Sequence, residues 1–206
     1  MPDIQHKTQR ERKAASDRCI YEAAVGLFAD QGFTRTTLHQ IGDRSGYSGG
    51  LVSSRYGSKE NLLKQVLLHI ASHTKQLLED APPHRKEPGT HHYIKSVLNS
   101  DFLNHPEVRA LYVIMGEALG ALPAIQDDIA NYNEQEYNHL RAIIQADIAS
   151  RRYNLTRNVP QAAAILHATM RGIIEQYLAN PGDTNIGTQA RCVTKFMDTL
   201  MIRSAD

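Results

Sequence analysis

The chain has 206 residues, of which 41% are apolar and 22% charged, with no Trp and a formal net charge of +1. That length supports one large domain or two small ones around a real core, and the composition is that of an ordinary globular protein rather than a disordered one. No apolar run approaches the roughly 18 residues of a membrane span. The polar, basic start from Gln5 to Lys13 has no apolar signal core, so no membrane association and a cytoplasmic location are expected.

Residues 1–64 hold 10 Lys/Arg against 7 Asp/Glu, and the remainder 13 against 15. This mild asymmetry points any nucleic-acid contact to the N-terminal part. Cys19 and Cys192 stand in no metal or redox spacing and read as two structural thiols.

In chain order, the first dozen residues read as a polar, mobile arm. Apolar positions then recur at helical spacing (Ile20, Ala23, Ala24, Leu27, Phe28) up to Gly32, a C-terminal stop. Thr37 with Gln40 three residues on is a capping-box pattern and starts a short helix to about Arg44. Gly46 breaks it, and Ser48 caps a second short helix to about Tyr56. Ser58 caps a longer helix through Leu62, Leu63, Val66, Leu67 and Ile70.

Pro82, Pro83, Pro88 and Gly89 mark a loop. Helical spacing returns at Tyr93–Leu98, after Pro106, from Pro123 to Ile148, from Pro160 to Tyr177, and from about Gly187 to Leu200. No strand-like alternation and no internal repeat stand out. An all-α fold of roughly nine helices is expected.

The segment from Thr37 to Tyr56 pairs two short helices across a glycine turn. Leu38 and Ile41 on the first are expected to face Leu51 and Val52 on the second. Such a pair needs support from the helices before and after it. The second helix can then lie in a DNA major groove, with Ser53, Ser54 and Arg55 outward. Ser58 and Lys59 follow at a helix start, where backbone N–H groups suit a phosphate oxygen.

Ala23-Ala24, Leu27-Phe28-Ala29, Gly32-Phe33, Thr36-Thr37, Ile41, Gly46, Ser48, Gly50-Leu51, Tyr56 and Gly57-Ser58-Lys59-Glu60-Asn61-Leu62-Leu63 resemble, in order and spacing, the TetR-type (TetR/AcrR-like) regulators. The resemblance covers roughly residues 14–74, with the helix-turn-helix at 37–56. Beyond residue 80 only the architecture is similar. It implies a DNA-binding domain at 14–74 and an effector-binding and dimerisation domain at 75–206. It also implies a homodimer through the last two helices, and a transcription regulator, in most relatives a repressor released from a palindromic operator by a small molecule. Activation instead of repression stays open. No cofactor and no enzymatic activity are implied.

By that resemblance the candidate DNA-contacting residues are Thr36, Thr37, Tyr47, Ser48, Gly49, Gly50, Ser53, Ser54, Arg55, Tyr56 and Lys59. The chain departs from the family at Ser53, where a Tyr is common, at Tyr47 for Val, at Gly42 for Ala and at Gly49 for a basic residue. A Gly at position 42 should weaken its helix by about 1 kcal/mol. Arg55 and Lys59 are left as the leading contacts, the alternative for Arg55 being a surface ion pair with Asp43 or Glu60. In the arm, Lys7, Arg10, Arg12 and Lys13 either reach the DNA backbone or form a solubilising tail.

Phe102, Tyr112, Met115, Tyr137, His167 and Met170 are the candidate liners of an effector pocket, against ordinary core packing. Glu117 and Glu175 either meet a cationic effector or face water. His69 and His73 share a helix face, but with no carboxylate or Cys nearby in sequence they read as surface histidines and not as a metal site. His84, His91 and His92 in the Pro-rich loop and His6 in the arm form no ligand spacing. An enzyme built on a helical bundle is disfavoured by the absence of Gly-x-Ser-x-Gly, His-Glu-x-x-His, P-loop and dinucleotide motifs. A helical module binding another protein is the remaining alternative.

Overall fold

The structure, a computed structural model, describes residues 8–79, 87–120, 123–150, 153–155 and 158–203. Within these the fold is all-helical, with ten α-helices, a 3-10 turn (Pro123–Ile125) and one minimal strand pair. The chain divides into two compact units, residues 1–72 with 110–125, and residues 73–109 with 126–206.

The first unit opens with α1 (Gln9–Gln31). Its N-terminus is a capping box in which Thr8 Oγ1 accepts from Glu11 N–H at 3.2 Å and Glu11 returns a bond to Thr8 N–H at 2.7 Å. The expected arm is therefore helical from Gln9, and Arg10, Arg12 and Lys13 stand exposed on its first two turns. His6 and Lys7 lie outside the described residues, as do Pro82, Pro83 and His84. Next come α2 (Leu38–Ser45), α3 (Gly49–Tyr56) and the start of α4 (Lys59–Glu79). Ile20, Ala24, Phe28, Ile41, Val52, Leu62, Leu63, Val66 and Ile70 are fully buried together with Phe33. Each of these Ile, Val, Leu and Phe side chains stabilises the packing by about 1.5–3 kcal/mol. Four helices, the shorter two of eight residues each, thus share one small core.

In the second unit, α5 (Gly89–Val97), α8 (Gln126–Ala149), α9 (Val159–Ala179) and α10 (Ile186–Leu200) pack together, with the one-turn α6 (Ser100–Leu103) between α5 and α7 (Pro106–Ala118). Asp147 of α8, nearly buried, accepts from Gly89 N–H at 2.7 Å, Thr90 N–H at 2.8 Å and Thr90 Oγ1 at 2.6 Å. It caps the start of α5, which Pro88 cannot cap with a side chain. Gly89, expected in the loop, is thereby the first residue of a helix.

Two further differences from the sequence reading are local. The single turn α6 lies where no element was expected. Tyr153–Leu155 pairs antiparallel with Met201–Arg203, in the register Tyr153↔Arg203, although no strand was expected. Three residues are too few to show a period of two in a sequence. The thiols of Cys19 and Cys192 are free and exposed rather than packed.

Candidate nucleic-acid interface

Local rules build the turn between α2 and α3. Thr37 Oγ1 accepts from Gln40 N–H at 3.2 Å while Gln40 Oε1 accepts from Thr37 N–H at 2.8 Å, the box expected from sequence. Gly46 ends α2 in the left-handed region (φ 79°), which a side chain resists. Ser48 Oγ accepts from Leu51 N–H at 3.1 Å and starts α3.

The crossing of α2 and α3 is closer than side chains permit. A Cβ on Gly42 would sit 2.6 Å from Gly49 N, and one on Gly49 would sit 2.8 Å from His39 Cα. The glycines that depart from the family pattern are thus matched to each other. The helix-propensity cost at Gly42 is offset by a backbone approach that Ala or Lys would obstruct.

On α3, Val52 is fully buried and Leu51 is 36% exposed. Leu51 therefore turns outward and does not share the inward role expected for it. Gly50, Ser53 and Ser54 are exposed, as are Thr37 and Ser48, while Tyr47 and Gly49 are half-buried.

The larger polar side chains fold back. Arg55 Nη1 donates to Asp17 Oδ1 at 2.7 Å and to Ser16 Oγ at 2.6 Å. The ion partner is Asp17 of α1, not Asp43 or Glu60. Tyr56 OH donates to the same Asp17 oxygen at 2.8 Å. Burial, reinforced by Asp17 and Tyr21, pushes the Tyr56 phenol far above its usual range, so it stays a donor. Desolvation opposes the Arg55 charge, and Asp17 outweighs it. These bonds tie the last turn of α3 to α1.

A second set of bonds holds the loop from α1 to α2. Lys59 Nζ donates to the carbonyls of Phe33 (2.7 Å), Thr34 (3.2 Å) and Thr36 (2.7 Å), and lies 4.3 Å from the Phe33 ring centre. Burial pulls its pKa below the ordinary lysine value, with Glu60 and Glu117 opposing. Thr36 is buried and donates its hydroxyl to Gly32 O at 2.7 Å. Glu117 of α7, half-buried, accepts from Thr34 N–H at 3.0 Å and Thr34 Oγ1 at 3.3 Å. Its carboxylate occupies the space beside Gly32, where a Cβ would lie 2.3 Å from Glu117 Oε1.

Among the eleven candidate DNA residues, Thr37, Ser48, Gly50, Ser53 and Ser54 thus present an open face. Thr36, Arg55, Tyr56 and Lys59 brace that face from behind. Asp17 and Glu117 are the bracing partners that sequence reasoning missed, because each lies dozens of residues from what it holds.

The six candidate pocket residues are divided between the two units. Phe102 lines a cavity of about 400 Å³ in the second unit, with Leu77, Leu78, His92, Asn99 and His105 among its other walls. Met115 is buried and Tyr112 half-buried on the stretch of α7 that belongs to the first unit. Tyr137 OH donates to Pro160 O at 3.0 Å, and Met170 is packed in the core of the second unit. His167 is half-buried, and burial together with Arg171 lowers its pKa. Glu175 is exposed and pairs with Arg171 at 3.3 Å. His73 meets a carboxylate after all, Glu107 at 2.9 Å, supplied from 34 residues away, and His69 packs on the Tyr21 ring.

Residues 20–66 match the family described as bacterial regulatory proteins, tetR family. A helix-turn-helix transcriptional repressor of Mycobacterium tuberculosis is 37% identical over 76 residues, which are 37% of this chain and 39% of that protein. The chain thus matches about two fifths of the length of that curated relative. Among solved structures, a TetR-family transcriptional regulator from Cytophaga hutchinsonii superposes with TM-score 0.75 at 13% identity, covering 97% of this chain and 100% of that one. SmeT, described as the repressor of the Stenotrophomonas maltophilia multidrug efflux pump SmeDEF, superposes in its triclosan complex with TM-score 0.74 at 17% identity, over 93% of each chain. At those identities the structures speak for the fold. Residues 20–66 thus form the N-terminal DNA-binding domain of the TetR family of bacterial regulatory proteins.

Proposed function

We propose that the protein is a DNA-binding transcriptional regulator, acting as a repressor, that reads its operator with the outward face of α3. The observation that carries this reading is the bracing of α3. Its inner side is locked to the core by Val52 and to α1 by Arg55 and Tyr56, while Gly50, Leu51, Ser53 and Ser54 stay outward. A rigid short helix with a free face is what a major groove admits. Thr37 and Ser48, exposed at the two helix starts, and Arg10, Arg12 and Lys13 on α1 are the flanking backbone contacts.

The regulator works as a homodimer through α9 and α10, where Phe196 leaves an apolar ring 40% exposed. Two copies place two α3 helices about one DNA turn apart and call for an imperfect palindrome. A small molecule releases the operator. The 400 Å³ cavity beside Phe102 is the site that fits one, by its size and mixed apolar and polar walls. The triclosan complex of the similar fold SmeT supports a role for such a ligand. Release follows only to the extent that the ligand prefers the unbound spacing of the two heads.

Selection from a random-sequence duplex library tests the reading. Enrichment of an imperfect palindrome is expected. Uniform, steeply salt-dependent binding without enrichment would reduce the protein to a charge binder.

A further inference from the structure

The face of α3 left open for DNA is chemically sparse. Gly49 and Gly50 carry no side chain, and a Cβ at Gly50 would meet nothing nearer than Ser48 Oγ at 4.0 Å. Ser53 and Ser54 carry hydroxyls, which both donate and accept and so separate the bases poorly. Arg55, the side chain suited to a guanine edge, is engaged by Asp17 and Ser16. Leu51 remains, 36% exposed, beside the fully buried Val52 that holds the helix down. A lone exposed leucine on an ordinary surface asks for no explanation. On this face it is the one large apolar side chain of α3 that points outward.

We infer that Leu51 is a specificity-determining residue that recognises the C5-methyl group of a thymine in the major groove. Among the major-groove features of the four base pairs, that methyl is the apolar one. Contact between it and the leucine methyls removes apolar surface from water on both partners. Adenine–thymine pairs at this position are therefore favoured without a hydrogen bond to the base. The inference rests on the proposed DNA-binding reading and adds the base feature that is read.

The test is a cycle between protein and base. A site is first selected from a random library made with the four ordinary bases, so that every C5-methyl belongs to thymine. Each thymine is then replaced singly by deoxyuridine, which lacks only that methyl. Affinities are measured for wild type, Leu51→Ala and Leu51→Gln, with thermal melting of each protein alongside. At one thymine of a half-site, deoxyuridine is expected to weaken wild type about fourfold, the worth of one buried carbon group. Both variants should bind the thymine and deoxyuridine duplexes equally. Leu51→Gln, of similar length, serves where Leu51→Ala lowers the melting point. A leucine needed only for packing would lower affinity for both duplexes by the same factor. That additive result, or a wild type indifferent to deoxyuridine at every position, overturns the inference while leaving operator binding intact. Failure to select any site overturns the DNA-binding reading itself, and this inference with it.

Discussion

Glu117 reaches back 83 positions in sequence to accept the backbone N–H of Thr34 at 3.0 Å. The bond fixes the loop that leads into α2 from one side, while Lys59 grips three of its carbonyls. Glu117→Ala is expected to lower stability by about 1 kcal/mol, since water can reach the exposed Thr34 donor that loses its charged acceptor. Glu117→Gln keeps a carbonyl oxygen for Thr34 and should recover most of the loss. Gly32→Ala should cost at least as much, since it combines φ 85° with a Cβ placed 2.3 Å from the carboxylate. Chemical denaturation of the three variants reads these differences.

Asp17→Ala strips the shared acceptor from Arg55 and Tyr56. With both partners of the ion pair about one fifth exposed, a loss of roughly 1–3 kcal/mol is expected, below that of a fully buried pair. Operator affinity should fall too, because the last turn of α3 is no longer tied to α1. An Asp17→Ala protein with wild-type melting and wild-type affinity would show that the clamp does not position the helix.

Gly42→Ala offers a test of sign. Helix propensity alone gives a gain of about 1 kcal/mol. The 2.6 Å approach of its Cβ to Gly49 N predicts a net loss instead. By the same geometry Gly49→Lys, although it adds a basic group next to the proposed DNA face, should not tighten operator binding, since its Cβ would lie 2.8 Å from His39 Cα. Melting temperature and affinity together separate the two effects.

His167 sets an acid limit on stability. Burial, then Arg171, holds its folded pKa below 6.5, so the folded state disfavours the proton that the unfolded chain accepts. Stability is full above the unfolded value and declines as pH falls below about 6.5 towards the folded value. His167→Gln should flatten that decline. Denaturation midpoints between neutral and mildly acidic pH, for both proteins, measure it.

Which parts were legible in the sequence follows from the range of the forces involved. The boxes at Thr37–Gln40 and the cap at Ser48 rest on bonds three residues apart, and the stop at Gly46 on a single residue's φ. A sequence displays such signals directly. Periodicity placed the buried stripes of α1 and α4 for the same reason. It turns both of the adjacent Leu51 and Val52 inward where only Val52 goes, because a helix of eight residues has barely two turns to define a face. The ties of Asp17 to Arg55, Glu117 to Thr34 and Asp147 to the start of α5 span 38, 83 and 57 positions. They are products of tertiary packing and leave no local trace. Position on a short helix sends Arg55 outward and resemblance gives Lys59 a phosphate, yet the structure engages both with protein partners that only the folded chain brings near.

If the outward face of α3 reads DNA as proposed, a paired titration reveals it. Wild type and Ser54→Glu are titrated against the duplex selected by wild type, with the melting curve of each recorded. Ser54 is exposed, so the added carboxylate leaves the core untouched, and on the proposed reading face it would repel the negative charge of DNA. Unchanged melting and at least a hundredfold loss of affinity, about 2.7 kcal/mol, are the expected result of that reading. Equal affinity of the two proteins for that duplex would contradict it and move the reading surface away from α3.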